Sequence, residues 1–314
     1  MRYRTWWVVP ALLLAACGGA TSQPKQAASS PKPAGKVVAL VQVENSDQSD
    51  PHYGLQKASV VYEYLAEGGI TRFTVVYFDP SGVDRVGPVR SIRPTALRLR
   101  EAYGGVLFFS GGSAPLMAQV HSQHIPENFE DDNGDAHFQR DAGRAAPHNL
   151  FSTGKDIAAV LPGVSGTTPY VGPTGGLMPT AGKPASTTFS FQQTPAHHVT
   201  YTYSGATRTY AYSSERGPLV DAGNNNQGVA ATNAVLLEAP HKDFGYADVN
   251  GVPVIDFDLS AGGPAVLLSG GQRYEVKWKA ATAGHPPTLT TADGKDLAMP
   301  AGLTWVHIVD PGTY

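Results

Sequence analysis

Apolar residues along this chain gather in short runs bounded by glycine, proline and small polar residues, the pattern of strands separated by turns. Lys36 to Val43 (KVVALVQV) closes on Glu-Asn-Ser-Asp and predicts a buried strand followed by a turn. Val60 to Leu65 and Ile70 to Phe78 are two more such runs, with Ala66-Glu67-Gly68-Gly69 between them. Gly-Gly supplies the positive φ angles of a tight hairpin turn. A two-residue loop at Gly68 and Gly69 sets Leu65 opposite Arg72 and brings Glu63, Glu67, Arg72 and Thr74 to one face.

Helical patterns interrupt the strands. Pro94 suits a first turn, Thr95 to Tyr103 reads as a helix, and Gly104-Gly105 ends it. Val106 to Phe109 is a short buried strand, after which Ser110-Gly111-Gly112-Ser113 turns into a second helix with Pro115 in its first turn. Ser152 is the expected N-cap of a third, ending at Pro162-Gly163. Six glycines and five prolines from Pro162 to Pro184 mark a linker. Beyond Ser186 nearly every signal is strand: Val199 to Tyr203, Arg208 to Ser213, Ala234 to Leu237, Val254 to Phe257, Ala265 to Leu268, Tyr274 to Trp278 and Thr304 to Val309. The fold class expected is mixed α/β: a layered N-terminal α/β domain with a mixed sheet over 37–161, a linker over 162–185, and a smaller β-rich domain over 186–314.

The start of the chain speaks of export. Arg2 and Arg4 precede an apolar stretch of 11 residues from Trp6 to Ala16, followed at once by Cys17 in Leu14-Ala15-Ala16-Cys17. Crossing a bilayer takes about 20 residues, so 1–16 reads as a signal peptide ending in a lipobox, with Cys17 the lipidated residue. Residues 17–36, rich in Ser, Pro, Ala and Gln, cannot bury enough surface to fold and read as a tether. The expected location is the extracytoplasmic face of the cell membrane, held by the lipid on Cys17.

Composition narrows the function classes. The formal charge is −3, and it drops to −5 once Arg2 and Arg4 leave with the signal, which disfavours nucleic acid as a partner. Cys17 is the only cysteine, so neither a disulfide nor a thiolate metal site is expected. No cofactor is expected.

Three segments then stand in order: Tyr62-Glu63 through Glu67-Gly68-Gly69-Ile70-Thr71-Arg72-Phe73, Gly87-Pro88-Val89-Arg90-Ser91-Ile92-Arg93, and Phe138 with Arg140 followed by Arg144-Ala145-Ala146-Pro147-His148-Asn149. Together they resemble the YerB-like lipoprotein family, a family of unknown function, from about Val37 to Trp305. The resemblance implies an α/β body with a distinct C-terminal part and brings no activity. It weakens in the C-terminal half, where the family's Tyr-x-Arg and His-x-Asp are replaced by Tyr210-Ala211-Tyr212 and Leu219-Val220-Asp221.

Arginine is unevenly spread: Ala58 to Thr153 holds eight arginines and no lysine, while the rest of the chain after Cys17 holds three arginines. A guanidinium fork donates paired hydrogen bonds to carboxylate or phosphate and keeps its charge when partly buried. Arg90 and Arg93 directly precede a predicted helix, whose free N–H groups favour an anion. The candidate ligand-binding residues are Glu63, Glu67, Arg72, Arg90, Arg93, Arg140, Arg144, His148 and Asn149, the ligand being an anionic cell-wall component or an envelope protein. The competing reading pairs these arginines with Glu63, Glu67, Asp79, Asp84 and Glu101 as structural ion pairs. For Glu63, Glu67 and Arg72 alone, cross-strand pairing is the simpler account.

Catalytic patterns are incomplete. Pro115 replaces the last glycine of G-x-S-x-G around Ser113, for which a helix cap is the simpler role. Glu130-Asp131-Asp132-Asn133-Gly134-Asp135 lacks the ligand order of a calcium loop, and Thr153-Gly154-Lys155 lacks the earlier glycine of a P-loop. A binding protein is therefore preferred to a hydrolase or phosphoryl transferase using His121 or His148, and a structural or assembly role stands as a third reading. Tyr201, Tyr203, Tyr210, Tyr212, Trp278 and Trp305 invite sugar stacking but fit a strand core as well.

Overall fold

β1 (Ala39–Asn45) is buried along its whole length, and its neighbours explain why a run of Ala, Leu and Val was needed there. It pairs antiparallel with β3 (Thr71–Tyr77) and parallel with β4 (Val106–Phe109), while β3 pairs antiparallel with β2 (Val60–Leu65). In this computed structural model the described residues are 35–122, 129–130, 136–164, 167, 178, 182–248 and 251–314. The expected signal peptide, Cys17, the tether up to residue 34, the acidic stretch 131–135 and most of 162–185 lie outside them.

The hairpin between β2 and β3 departs from expectation by one residue. Leu65 faces Thr71 rather than Arg72, because Glu67–Gly69 form a 3-10 turn, with Gly68 at φ 69° and Gly69 at φ 79°. A single-residue slip exchanges the faces of one strand relative to the other. Glu63 therefore lies opposite Phe73 and shares its face, while Arg72 and Thr74 share the other face with Tyr64 and Tyr62.

The sheet grows in both directions from these strands. The Thr304–Val309 strand lies beside β2 and runs parallel both to it and to Asn233–Glu238. Gly263–Ser269, Gln272–Lys279 and Thr288–Thr290 continue antiparallel beyond, so strands from either side of the 162–185 segment share one eleven-stranded mixed sheet among the described residues.

Each face of this sheet is covered differently. On one face a smaller sheet, including Thr188–Thr194, His197–Ser204 and Thr209–Ser214, lays Phe191, Val199, Tyr201 and Tyr212 over Val41, Val43, Phe73 and Trp305. Phe73 and Trp305 meet edge to face at 5.2 Å, a geometry that adds to the roughly 1.5–3 kcal/mol of burying each large apolar side chain. On the other face α1 (Pro94–Tyr103) and α2 (Ala114–Ser122) bury Ala96, Leu99, Tyr103 and Leu116 on Leu40, Leu107 and Phe109. Pro94 opens α1 and Gly104, left-handed at φ 62°, closes it. α3 (Gly154–Val160) is capped by Thr153, whose Oγ1 accepts from Asp156 N at 3.1 Å, and not by Ser152, whose hydroxyl donates to His137 O at 2.8 Å.

The mixed sheet agrees with the expected class, but the layered α/β picture needs correcting toward β. Strands dominate the described residues, and α1 and α2 are two short helices on one face rather than a helical layer. Among the described residues no helix is long and apolar enough to cross a membrane. Of the aromatics named for sugar stacking, Tyr201, Tyr210, Tyr212, Trp278 and Trp305 are buried in the core, and Tyr203 packs half-buried against it.

Candidate functional site

The eight clustered arginines sort into two groups by what their guanidinium groups touch. Five are used within the fold. Arg85 lies over the Phe151 ring at 3.6 Å and donates to Asp141 at 2.7 Å. Arg98 forms a two-pronged pair with Asp256, joining α1 to the Pro253–Phe257 strand. Arg100 donates to Gly105 O at 2.9 Å, and Arg140 to Asn149 Oδ1 at 3.0 Å. Arg144 donates to the carbonyls of Gln48, Ser49, Asp50 and Pro51 at 2.7 to 3.2 Å, gathering the turn after β1.

The remaining three converge. Arg72 from β3 and Arg90 and Arg93 from the loop before α1 line one cleft of about 290 Å³. Its other walls are Glu44 at the end of β1, Glu67, Gly68 and Ile70 from the β2–β3 turn, and Gly112, Ser113 and Leu116 at the start of α2. Asp248, Val252 and Val254 close it. The site thus arises where three loops meet above the polar end of β1 and β3.

Partners are shared unequally inside the cleft. Glu67 is buried and receives Arg93 Nε at 2.6 Å and Nη2 at 2.5 Å, both on Oε2, while its Oε1 is buried with no partner. Arg93 also donates to Ser91 O and Ile92 O, which fixes its fork. Glu44, 2 % exposed, is held by His148 Nδ1 at 2.8 Å and by the Ser46 hydroxyl at 3.0 Å, with Arg90 Nε at 3.6 Å. Arg72 is 2 % exposed, forms no ion pair among the described residues, and has Nε and Nη1 buried without a hydrogen bond. Burial, aided by the repulsion of Arg93 and opposed by Glu44, brings its pKa down to about 9, so it stays charged at neutral pH.

The structure thus brings together four of the nine expected ligand residues: Glu67, Arg72, Arg90 and Arg93. His148 touches the cleft through Glu44, whereas Arg140, Arg144 and Asn149 brace the loop behind it. Glu63 is on the opposite face, for the register reason given above, and is fully buried. Its carboxylate accepts from His197 Nε2 at 2.9 Å, Trp305 Nε1 at 2.9 Å, Thr71 Oγ1 at 2.9 Å and the Tyr212 hydroxyl at 3.2 Å. Burial alone would raise its pKa, but His307, His197 and Trp305 hold it down at about 2. This is an internal charge that ties the two sheets together.

Sequence reasoning passed over Glu44, reading it as part of a turn when it is the sixth residue of β1. The signal was present: Gln42 and Glu44 alternate with Val41 and Val43, and they sit opposite Thr74 and Arg72. Ser113 lines the cleft instead of capping α2, and no hydrogen bond joins its hydroxyl to a histidine. His197 and His307 gave no local signal, since their partner Glu63 lies more than a hundred residues away. Among the described residues, no group of three acidic, histidine or cysteine side chains is placed to hold a metal.

Comparison with known proteins agrees with the motifs. Residues 23–166 match the N-terminal domain of the DUF3048 family and residues 187–306 its C-terminal domain, both described as protein of unknown function. Over 283 residues, 87% of this chain and 80% of the relative, the chain is 30% identical to YerB of Bacillus subtilis (strain 168), whose name calls it a lipoprotein. The crystal structure of the YerB protein from Bacillus subtilis matches with a TM-score of 0.72 at 28% identity, covering 88% of this chain and 91% of that one. The resemblance carried by Tyr62–Phe73, Gly87–Arg93 and Phe138–Asn149 therefore extends over both halves, and the chain belongs to the YerB-like DUF3048 family.

Proposed function

We propose that this chain is a lipoprotein of the cell envelope, cut before Cys17 and lipidated there, whose folded body binds an anionic ligand in the cleft of Arg72, Arg90 and Arg93. The anchoring half rests on the lipobox, the proline- and serine-rich tether and the lipoprotein relative. Mass spectrometry of the mature N-terminus tests it, and an unmodified Cys17 would overturn it.

The binding half rests on one observation: Arg72 is buried, charged and without a hydrogen bond or ion pair among the described residues, in a cleft it shares with two more arginines. A structural ion pair would bring a carboxylate to each guanidinium, as Asp256 does for Arg98. An incoming carboxylate or phosphate would fill the place a carboxylate leaves open, and the guanidinium fork suits either. Titration calorimetry of the purified chain with inorganic phosphate and with acetate tests this reading. Binding that falls at least about tenfold in Arg72→Met, a loss of at least about 1.4 kcal/mol, and survives in Arg144→Ala is the expected result. Equal affinity in the unaltered chain and Arg72→Met would overturn it.

A further inference from the structure

The cleft has an unused acceptor as well as unused donors. Glu67 Oε1 is buried with no hydrogen bond, because both Arg93 nitrogens converge on Oε2. Arg72 Nε and Nη1, and Arg90 Nε at 3.6 Å from Glu44, are buried donors without a hydrogen bond on residues that line the same cleft. A simple anion satisfies the arginines and leaves Glu67 Oε1 facing a second negative charge. A cation does the reverse. A molecule carrying both an anionic group and a hydrogen-bond donor satisfies the two sets together, and a positively charged donor does so most strongly because it also offsets the carboxylate charge.

Size and lining agree. A volume of about 290 Å³ stands at the small end of ligand sites, whose range is roughly 300–1,000 Å³. Ile70, Leu116, Val252 and Val254 give the cleft an apolar wall beside its charges. Ile70 is one of the few large apolar side chains left open to solvent among the described residues.

Resting on the anion-binding reading, we propose that the cleft selects a small zwitterion: a carboxylate or phosphate taken by Arg72 and Arg90, and a primary ammonium a few bonds away donating to Glu67. The apolar wall then covers whatever short aliphatic group joins or flanks them. Glu44 is held by His148 and Ser46, and Asp248 accepts from Val252 N at 2.9 Å, so the carboxylate oxygen left without a hydrogen bond on this wall belongs to Glu67.

Matched pairs of probes test the ammonium separately from the anion. Calorimetry of the purified chain compares alanine with propionate, and phosphoethanolamine with inorganic phosphate. In each pair only the first member carries the ammonium. The expected result is a preference of at least about tenfold for the ammonium-bearing member of one pair, and which pair it is distinguishes an amino-acid source from a lipid-headgroup source. Glu67→Gln, which keeps the shape and removes the charge, should abolish that preference while propionate or phosphate still binds. Equal affinities within both pairs in the unaltered protein would overturn the zwitterion and leave the anion reading standing. Absence of binding by all four probes would overturn both. The ratio in the unaltered protein is read whether or not Glu67→Gln folds.

Discussion

Glu44 and Arg72 lie directly opposite one another on β1 and β3, yet their side chains do not pair: the carboxylate is held by His148 and Ser46, with Arg90 nearby, and the guanidinium makes no hydrogen bond or ion pair among the described residues. A buried charge without hydrogen-bond partners opposes folding unless something binds it. Glu44 and Glu67 favour the charged form of Arg72 without hydrogen-bonding it, so the cost of burying the guanidinium is only partly offset within the fold.

Arg72→Met should stabilise the ligand-free protein while removing anion binding. Methionine fills a similar volume, and replacing buried ionic groups by apolar ones is often neutral or stabilising by about 1–4 kcal/mol. For a single guanidinium already short of partners, a gain of about 1 kcal/mol is expected, read as a rise in the urea midpoint at constant slope. A large loss of stability would mean that Arg72 is satisfied within the fold and is no ligand group.

Arg144→Ala should do the opposite. Its guanidinium holds four consecutive carbonyls, from Gln48 to Pro51, so removal loosens the turn after β1. Hydrogen bonds to a charged donor contribute about 1.5–3 kcal/mol each when well buried, but these are partly exposed, so a total loss of about 2 kcal/mol is expected. Anion affinity should change little. A fall in affinity equal to that of Arg72→Met would place Arg144 in the cleft instead.

The same contrast explains how far the sequence could be read. The strands after Ser186 and the helix from Pro94 were legible because their signals are local: apolar runs, prolines and glycines. The gathering of Arg72, Arg90 and Arg93 was legible as a skew in composition and as proximity to α1. The partition between cleft and brace was not, because it depends on where Asp141, Asp256 and the 48–51 carbonyls end up in space. Glu63 was misplaced by one residue of register, since Glu67–Gly69 build a longer turn than Gly-Gly alone implies. One carboxylate thereby moved from the expected site into the centre of the molecule.

Glu63→Gln should destabilise severely. The amide cannot accept from His197, Trp305, Thr71 and Tyr212 together, and the His197 charge loses its counter-charge. Breaking a buried pair by removing one partner costs about 3–5 kcal/mol. Chemical denaturation should register a loss in this range. A loss under about 1 kcal/mol would show that the network is not needed to hold the two sheets together.

Three titrating groups of that network, Glu63, His197 and His307, set opposite limbs of the stability profile. Glu63 is held at about 2 in the fold against an ordinary 4.5, so its contribution is present above 4.5 and is lost as pH falls toward 2. His307, lowered by burial to about 4 from 6.5, adds to the acid limb, because the unfolded chain takes its proton first below 6.5. His197 runs the other way. Burial would lower it, but Glu63 and Glu215 raise it to about 8 from 6.5, so its contribution is complete below 6.5 and lost as pH rises through 8. At 1.36 kcal/mol per pKa unit the alkaline loss is about 2 kcal/mol. Urea midpoints measured from pH 4 to 9 should therefore peak near 6.5. His197→Gln should flatten the alkaline limb, and an unaltered fall between 6.5 and 8.5 in that variant would remove His197 as its source.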